Sequence, residues 1–218
     1  WYSGIAGRNQ LGGQYSGSLY GFFNRMTAEV SGSYFQQYQR YSTEVDSLVF
    51  ETSSNALVKF DLQLTSKLGL FGQGAWADVH YRQIDGPPDE EIGVVRNSRV
   101  DTGGRGGLRY TPAEHWSVGL AAEGTFADFD FDPDLRNNTS TAVLGSVEYS
   151  RPKLFFNLLG GWREGDGTQR KYLPRYSTGV GSFFLSYFPI RWLELQVGGH
   201  RQVTYSITAT NPYFFENR

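Results

Sequence analysis

The feature that most limits what this chain can fold into is a two-residue rhythm held over long runs. In Ala56-Leu57-Val58-Lys59-Phe60-Asp61-Leu62-Gln63-Leu64 the even positions are apolar and the odd ones mostly polar. Trp116, Val118, Leu120, Ala122, Gly124 and Phe126 alternate with Ser117, Gly119, Ala121, Glu123 and Thr125. Val100, Thr102, Gly104, Gly106, Leu108 and Tyr110 oppose Arg99, Asp101, Gly103, Arg105, Gly107 and Arg109. Leu193, Leu195, Val197 and Gly199 oppose Glu194, Gln196, Gly198 and His200. Successive side chains of a strand point to opposite faces, so each run makes a strand with one apolar and one polar side. The runs last roughly ten residues. That exceeds the common soluble strand of about 5–6 residues and matches the roughly 9–11 that cross a bilayer at a tilt.

Helix signals are scarce. No long segment repeats apolar residues at i, i+3, i+4 and i+7, and 27 glycines in 218 residues disfavour helix interiors. The rhythm predicts strands at 12–23, 26–40, 54–65, 68–82, 99–110, 116–129, 140–150, 154–164, 175–188 and 191–205. Tight turns are expected at Asn24-Arg25, Thr65-Ser66-Lys67, Thr111-Pro112-Ala113-Glu114, Arg151-Pro152-Lys153 and Pro189-Ile190. Longer polar stretches fall between them, at about 40–53, 84–98, 131–138, 165–174 and 206–212. Short turn, longer loop, short turn is the pattern of an up-and-down barrel. The parity of the turns adds a preceding strand at Trp1–Ala6 and a final one beginning at Tyr213. The expectation is therefore twelve strands in a single domain, the terminal two cut short, in a chain that is an excerpt of a longer one.

Composition removes several classes. Aromatic residues make up 16% and charged residues 19%, the reverse of a disordered chain. A formal charge of −2 gives no footprint for nucleic acid. The absence of cysteine excludes disulfides, thiolate metal sites and Cys nucleophiles together. No stretch reaches 18 apolar residues, so a helical membrane span is excluded, which leaves a barrel open.

Aromatic residues cluster where two membrane interfaces would lie. Beside the tight turns are Phe22, Phe23, Phe71, Tyr110, Trp116, Tyr149, Phe155, Tyr187, Phe188 and Trp192. Toward the loops come Tyr34, Trp76, Phe126, Trp162 and Tyr205. A ten-residue separation at about 3.3 Å per residue, tilted by roughly 40°, projects to about 25 Å, the height of a lipid-facing band.

The hairpin rhythm, the turn-flanking aromatics (Tyr110-Thr111-Pro112 then Trp116; Tyr187-Phe188-Pro189 then Trp192) and Asn211-Pro212-Tyr213-Phe214-Phe215-Glu216-Asn217-Arg218 resemble bacterial outer-membrane β-barrel proteins, porin-like or export barrels. The resemblance covers essentially the whole chain and is to an architecture, not to one subfamily. One departure is the C-terminal Arg218, where such barrels usually finish on an aromatic residue. The resemblance implies an all-β, antiparallel transmembrane barrel in the bacterial outer membrane. Lipid and lipopolysaccharide would be its surroundings, periplasmic proteins its possible partners and an unidentified solute or polymer its cargo. No nucleic acid and no cofactor are implied.

If lipid covers the apolar face, the other face lines a lumen. That list holds Glu29, Lys59, Asp61, Arg99, Asp101 and Arg105, together with Arg109, Glu123, Glu148, Arg163, Glu194 and His200. Ionisable groups at membrane depth pair or face water, so this mixed-charge ladder either lines a pore or plugs a narrow barrel. The expected function is a channel or export conduit. The alternatives are a closed barrel serving as anchor or scaffold with binding loops, and a soluble β-sandwich binding protein. Catalysis has little support: His80, His115 and His200 are scattered, and the Ser206/His200 pair of an imagined lipid hydrolase lacks a Gly-x-Ser-x-Gly elbow. Asp128, Asp130, Asp132 and Asp134 would share one face of an extended strand, a weak candidate divalent-cation site that lacks the glycine and terminal glutamate of an EF-hand. Arg201 reads as an outward surface arginine without a partner, able to reach a lipid phosphate. The glycines of Gly103-Gly104-Arg105-Gly106-Gly107 and Gly179-Val180-Gly181 read as easing strand curvature.

Overall fold

A computed structural model describes residues 12–40, 48–83, 94–167, 175–190, 192–205 and 213–217. They form one antiparallel sheet of 11 strands in which every neighbour in space is a neighbour in sequence. The strands are β1 (Gly13–Phe22), β2 (Met26–Arg40), β3 (Leu48–Gln63), β4 (Leu68–Gln83), β5 (Arg99–Ala113), β6 (Trp116–Phe129), β7 (Asn138–Arg151), β8 (Leu154–Gly167), β9 (Tyr176–Ile190), β10 (Leu193–Tyr205) and β11 (Tyr213–Asn217). A short helix, α1 (Pro133–Arg136), lies between β6 and β7. Short connections alternate with longer ones, so the tight turns lie along one edge and the longer connections along the other. A sandwich, which needs a second sheet, is not what forms.

Most strand limits match the period-two reading. The largest departure is β3, which begins at Leu48 where a loop to 53 was expected. Val49 and Phe50 are buried and continue the ladder to Gln39 and Tyr38, so pairing overrides the polar look of Glu51-Thr52-Ser53. Strand β8 likewise extends to Gly167, into the expected loop. The final strand expected from Tyr213 is present as β11, paired to β10. The strand expected at Trp1–Ala6 lies outside the described residues. Strands β1 and β11 are the two edges, and the described sheet is not closed between them.

The sheet is sheared in one sense throughout. A row of directly paired residues runs Leu19, Val30, Val58, Gly74, Gly104, Gly124, Thr141, Glu164 and Ser177, from β1 to β9. Leu19 is three positions from Phe22, the turn end of β1, whereas Ser177 is thirteen from Ile190, the turn end of β9. Ten residues of stagger over eight strand spacings, at about 3.3 Å per residue and about 4.8 Å per spacing, correspond to strands inclined by roughly 40°.

It is also curled. The Arg99 guanidinium of β5 lies over the Tyr205 ring of β10 at 5.0 Å, and the Phe129 ring of β6 meets Tyr205 edge-on at 5.2 Å. Strands five apart in a flat sheet stand about 24 Å from each other, farther than two side chains reach. The face carrying Arg99 and Phe129 is therefore concave. Two glycines on that face mark tight curvature: a side chain at Gly107 would strike the Leu120 carbonyl oxygen, and one at Gly161 that of Val143.

Directly paired residues share a face, which sorts the whole sheet. Charged and polar side chains line much of the concave face, beside apolar ones at Leu57, Phe71, Leu144, Phe155, Leu159 and Phe184. The convex face carries Val30, Val58, Leu108, Leu120, Val143, Leu158 and Val197, all exposed, with Leu120 at 61% and Val143 at 60%. Burial in water demands the opposite arrangement.

Candidate functional site

The alternation that made the apolar stripe also gathers the charges. Every residue of the ladder read from the sequence, Glu29 through His200, falls on the concave face by strand register. Their partners are mostly neighbours along the wall. Lys59 Nζ lies 3.2 Å from Glu29 Oε2, directly across the β2–β3 ladder. Arg109 of β5 pairs with Asp61 of β3 by passing over Gly69, whose missing side chain leaves the path clear. Arg163 of β8 binds Glu123 of β6 across the small Ala142. Arg99 donates Nε to Asp101 two residues on, at 2.9 Å. Glu148 accepts from Asn157 at 3.5 Å, and Glu194 accepts from Ser186 Oγ and Gln196 Nε2, both at 2.6 Å. His200 sits opposite Ser182.

At the loop end, by contrast, side chains cross the concavity. Tyr205 donates its hydroxyl to Asn138 Oδ1 on β7 at 3.0 Å. Asn138 donates to the Arg136 carbonyl at 3.0 Å, and the Arg136 guanidinium lies over Phe129 at 4.4 Å while binding the Arg96 carbonyl at 2.6 Å and the Asn97 side chain. Arg99 donates to the Asn97 carbonyl at 3.2 Å. Phe129, Asn97, Asn138 and Arg136 are all buried. Cationic, aromatic and amide groups thus interlock into a stopper made from two connections and the end of β10. Sequence reasoning missed it. The available signal was Pro133 opening a short helix with Arg136 in its last turn, which fixes where that guanidinium points.

Several expectations are corrected. The four aspartates do not share an extended face, because β6 ends at Phe129 and the chain turns through Asp132 at φ 54° into α1. Asp128 accepts from Asn137, Asp130 lies 3.3 Å from His80 Nδ1 and Asp132 3.7 Å from Arg96, while Asp134 stands in the first turn of α1. Among the described residues no group of three His, Cys, Asp or Glu is placed to hold a metal ion. Arg201 is not partnerless: it donates to the Gly179 carbonyl at 3.1 Å and lies over Phe215. Strands β9 and β10 stop pairing at Gly181 and Arg201, so the arginine satisfies a carbonyl that the ladder leaves open. The aromatic belts are thinner than expected. Phe22, Phe71 and Phe155 fall on the concave face, and Tyr205 belongs to the stopper. Tyr34, Trp76, Phe126 and Trp162 do face outward at the loop end, as do Tyr110, Trp116, Tyr149 and Tyr187 at the turn end, where Trp116 and Tyr149 pack at 4.8 Å. Ser206 lies outside the described residues.

No family model matches this chain, and no curated protein or solved structure matches it either. No helix among the described residues is long and apolar enough to cross a membrane, which says nothing of a β-barrel.

Proposed function

We propose that this chain is the wall of a bacterial outer-membrane β-barrel, closed by about twelve strands, that conducts hydrophilic solutes. The observation carrying this reading is the inversion of faces: a bare apolar convex side and a charged concave side. Lipid is the solvent that makes the first favourable, and water in a lumen is what makes the second so. The inclination of about 40° adds support, since it lies within the range for closed barrels. Twelve strands about 4.8 Å apart at that tilt enclose a backbone radius of about 12 Å, enough for a lumen once side chains line it.

A second reading, a closed barrel acting as anchor or scaffold, is favoured by the stopper. Purified protein in planar lipid bilayers separates the two. The channel reading expects steady conductance that changes with Arg105→Glu. Silence in the wild type, with conductance appearing in Tyr205→Ala, would make the stopper a closed plug. Silence in both would end the channel reading, and solubility without detergent would end the membrane reading.

A further inference from the structure

On the concave face one hydrogen-bonded row reads Arg105, Glu123, Ala142, Arg163, from β5 to β8. Two guanidiniums thus flank one carboxylate. Glu123 is committed to Arg163. Arg105, although directly opposite Glu123, has no carboxylate partner and makes no hydrogen bond among the described residues; its contact is the Phe71 ring at 5.9 Å. The Nε atoms of both Arg105 and Arg163 are buried without an acceptor, which accounts for two of the three such orphaned side-chain atoms among the described residues. Three other cations of the concave wall have carboxylate partners: Lys59 with Glu29, Arg109 with Asp61, Arg99 with Asp101. A buried guanidinium donor left unpaired is costly, and a fork of N–H groups is matched by an oxyanion.

We propose that Arg105, with Arg163 beside it, forms an oxyanion-binding subsite on the concave wall, taking a phosphate, sulfate or carboxylate group. If the barrel conducts, as proposed above, this subsite sets a preference for anionic solutes. Small residues of the same face, Ala121, Ala142 and Gly161, lie between the two guanidiniums, while Gln73 stands directly opposite Arg105 on β4 and Leu144 lies between Ala121 and Gly161. Glu123 orients Arg163 and leaves the row one positive charge in excess. An arriving oxyanion would accept from the terminal N–H groups of Arg105, which no carboxylate of the wall engages.

The test is calorimetric titration of the detergent-solubilised full chain with inorganic phosphate at low salt, so that it does not depend on conduction. Arg105→Gln is expected to weaken binding at least tenfold. Glu123→Gln, which frees the Arg163 fork and removes the competing carboxylate, is expected to tighten it several-fold, and it serves also if Arg105→Gln fails to fold. Lys67→Gln, on an exposed turn, controls for loss of charge alone and should bind as the wild type does. No phosphate affinity in the wild type, or equal affinity in the wild type and Arg105→Gln, overturns the subsite. Binding that depends on Arg105 in a protein silent in bilayers would sink the channel and keep the subsite. Conductance with no Arg105-dependent binding would do the reverse.

Discussion

The Tyr205 hydroxyl reaches Asn138 at 3.0 Å although the two residues stand 67 positions and three strands apart. Simple alternation places Tyr205 outward with Arg201 and Val203. It turns inward where β10 has parted from β9, beyond Arg201, while still paired to Tyr213 of β11, and its ring meets Phe129 and Arg99. The contact spans the loop end of the concavity.

Removing that hydroxyl takes the donor from the Asn138 amide oxygen, on a residue that is 1% exposed. Tyr205→Phe should therefore cost about 1–3 kcal/mol, read from the urea unfolding midpoint in detergent or lipid. The same substitution should leave conductance near wild type, because the ring still fills the gap. Tyr205→Ala should raise it. Equal conductance in all three proteins would remove Tyr205 from the constriction.

Leu120 offers a direct test of the solvent on the convex side. In a bilayer, Leu120→Arg near mid-strand should destabilise by about 2–4 kcal/mol. In water an exposed site of this kind changes stability by no more than about 0.5 kcal/mol. Folding measured in lipid vesicles decides between these values, and the small one would contradict a lipid-facing stripe.

Gly160 and Gly161 are adjacent and should behave oppositely. A methyl at Gly160 meets open space, whereas at Gly161 it meets the Val143 carbonyl. Gly160→Ala should be neutral or slightly stabilising, by up to about 1 kcal/mol. Gly161→Ala should cost about 1–3 kcal/mol or block folding, since the curled wall has no room to give. Thermal unfolding of the two variants side by side reads the difference.

The Asp61–Arg109 pair is partly exposed, with side chains 33% and 45% accessible, so its stability contribution is small. A double-mutant cycle with Asp61→Asn and Arg109→Gln should give a coupling below about 1 kcal/mol. Its effect on ion selectivity should be larger: Asp61→Asn leaves Arg109 unneutralised and should shift the reversal potential toward anions.

Sequence legibility followed how local each cause was. Strand β6 was readable to its last residue, 116–129, because face and period are both written in the alternation of Trp116 through Phe126. The wall charges were readable for the same reason: once one face is apolar, Lys59 and Arg105 have only the other. The start of β3 was not, since Glu51-Thr52-Ser53 becomes strand only through ladder bonds to β2 and β4. Phe71 and Phe155 were misassigned because an aromatic beside a turn looks alike on either face, and only the register tells which.

What the sequence alone determined is the antiparallel hairpin order, the turn rhythm and which side chains share a face, since a period of two needs no distant partner to be read. What only the tertiary structure decided is which side chains meet across the curled wall. Arg163 choosing Glu123 and leaving Arg105 alone, and Tyr205 turning inward to Asn138, depend on register, shear and curvature. Those are set by every strand pairing together, and no single segment encodes them.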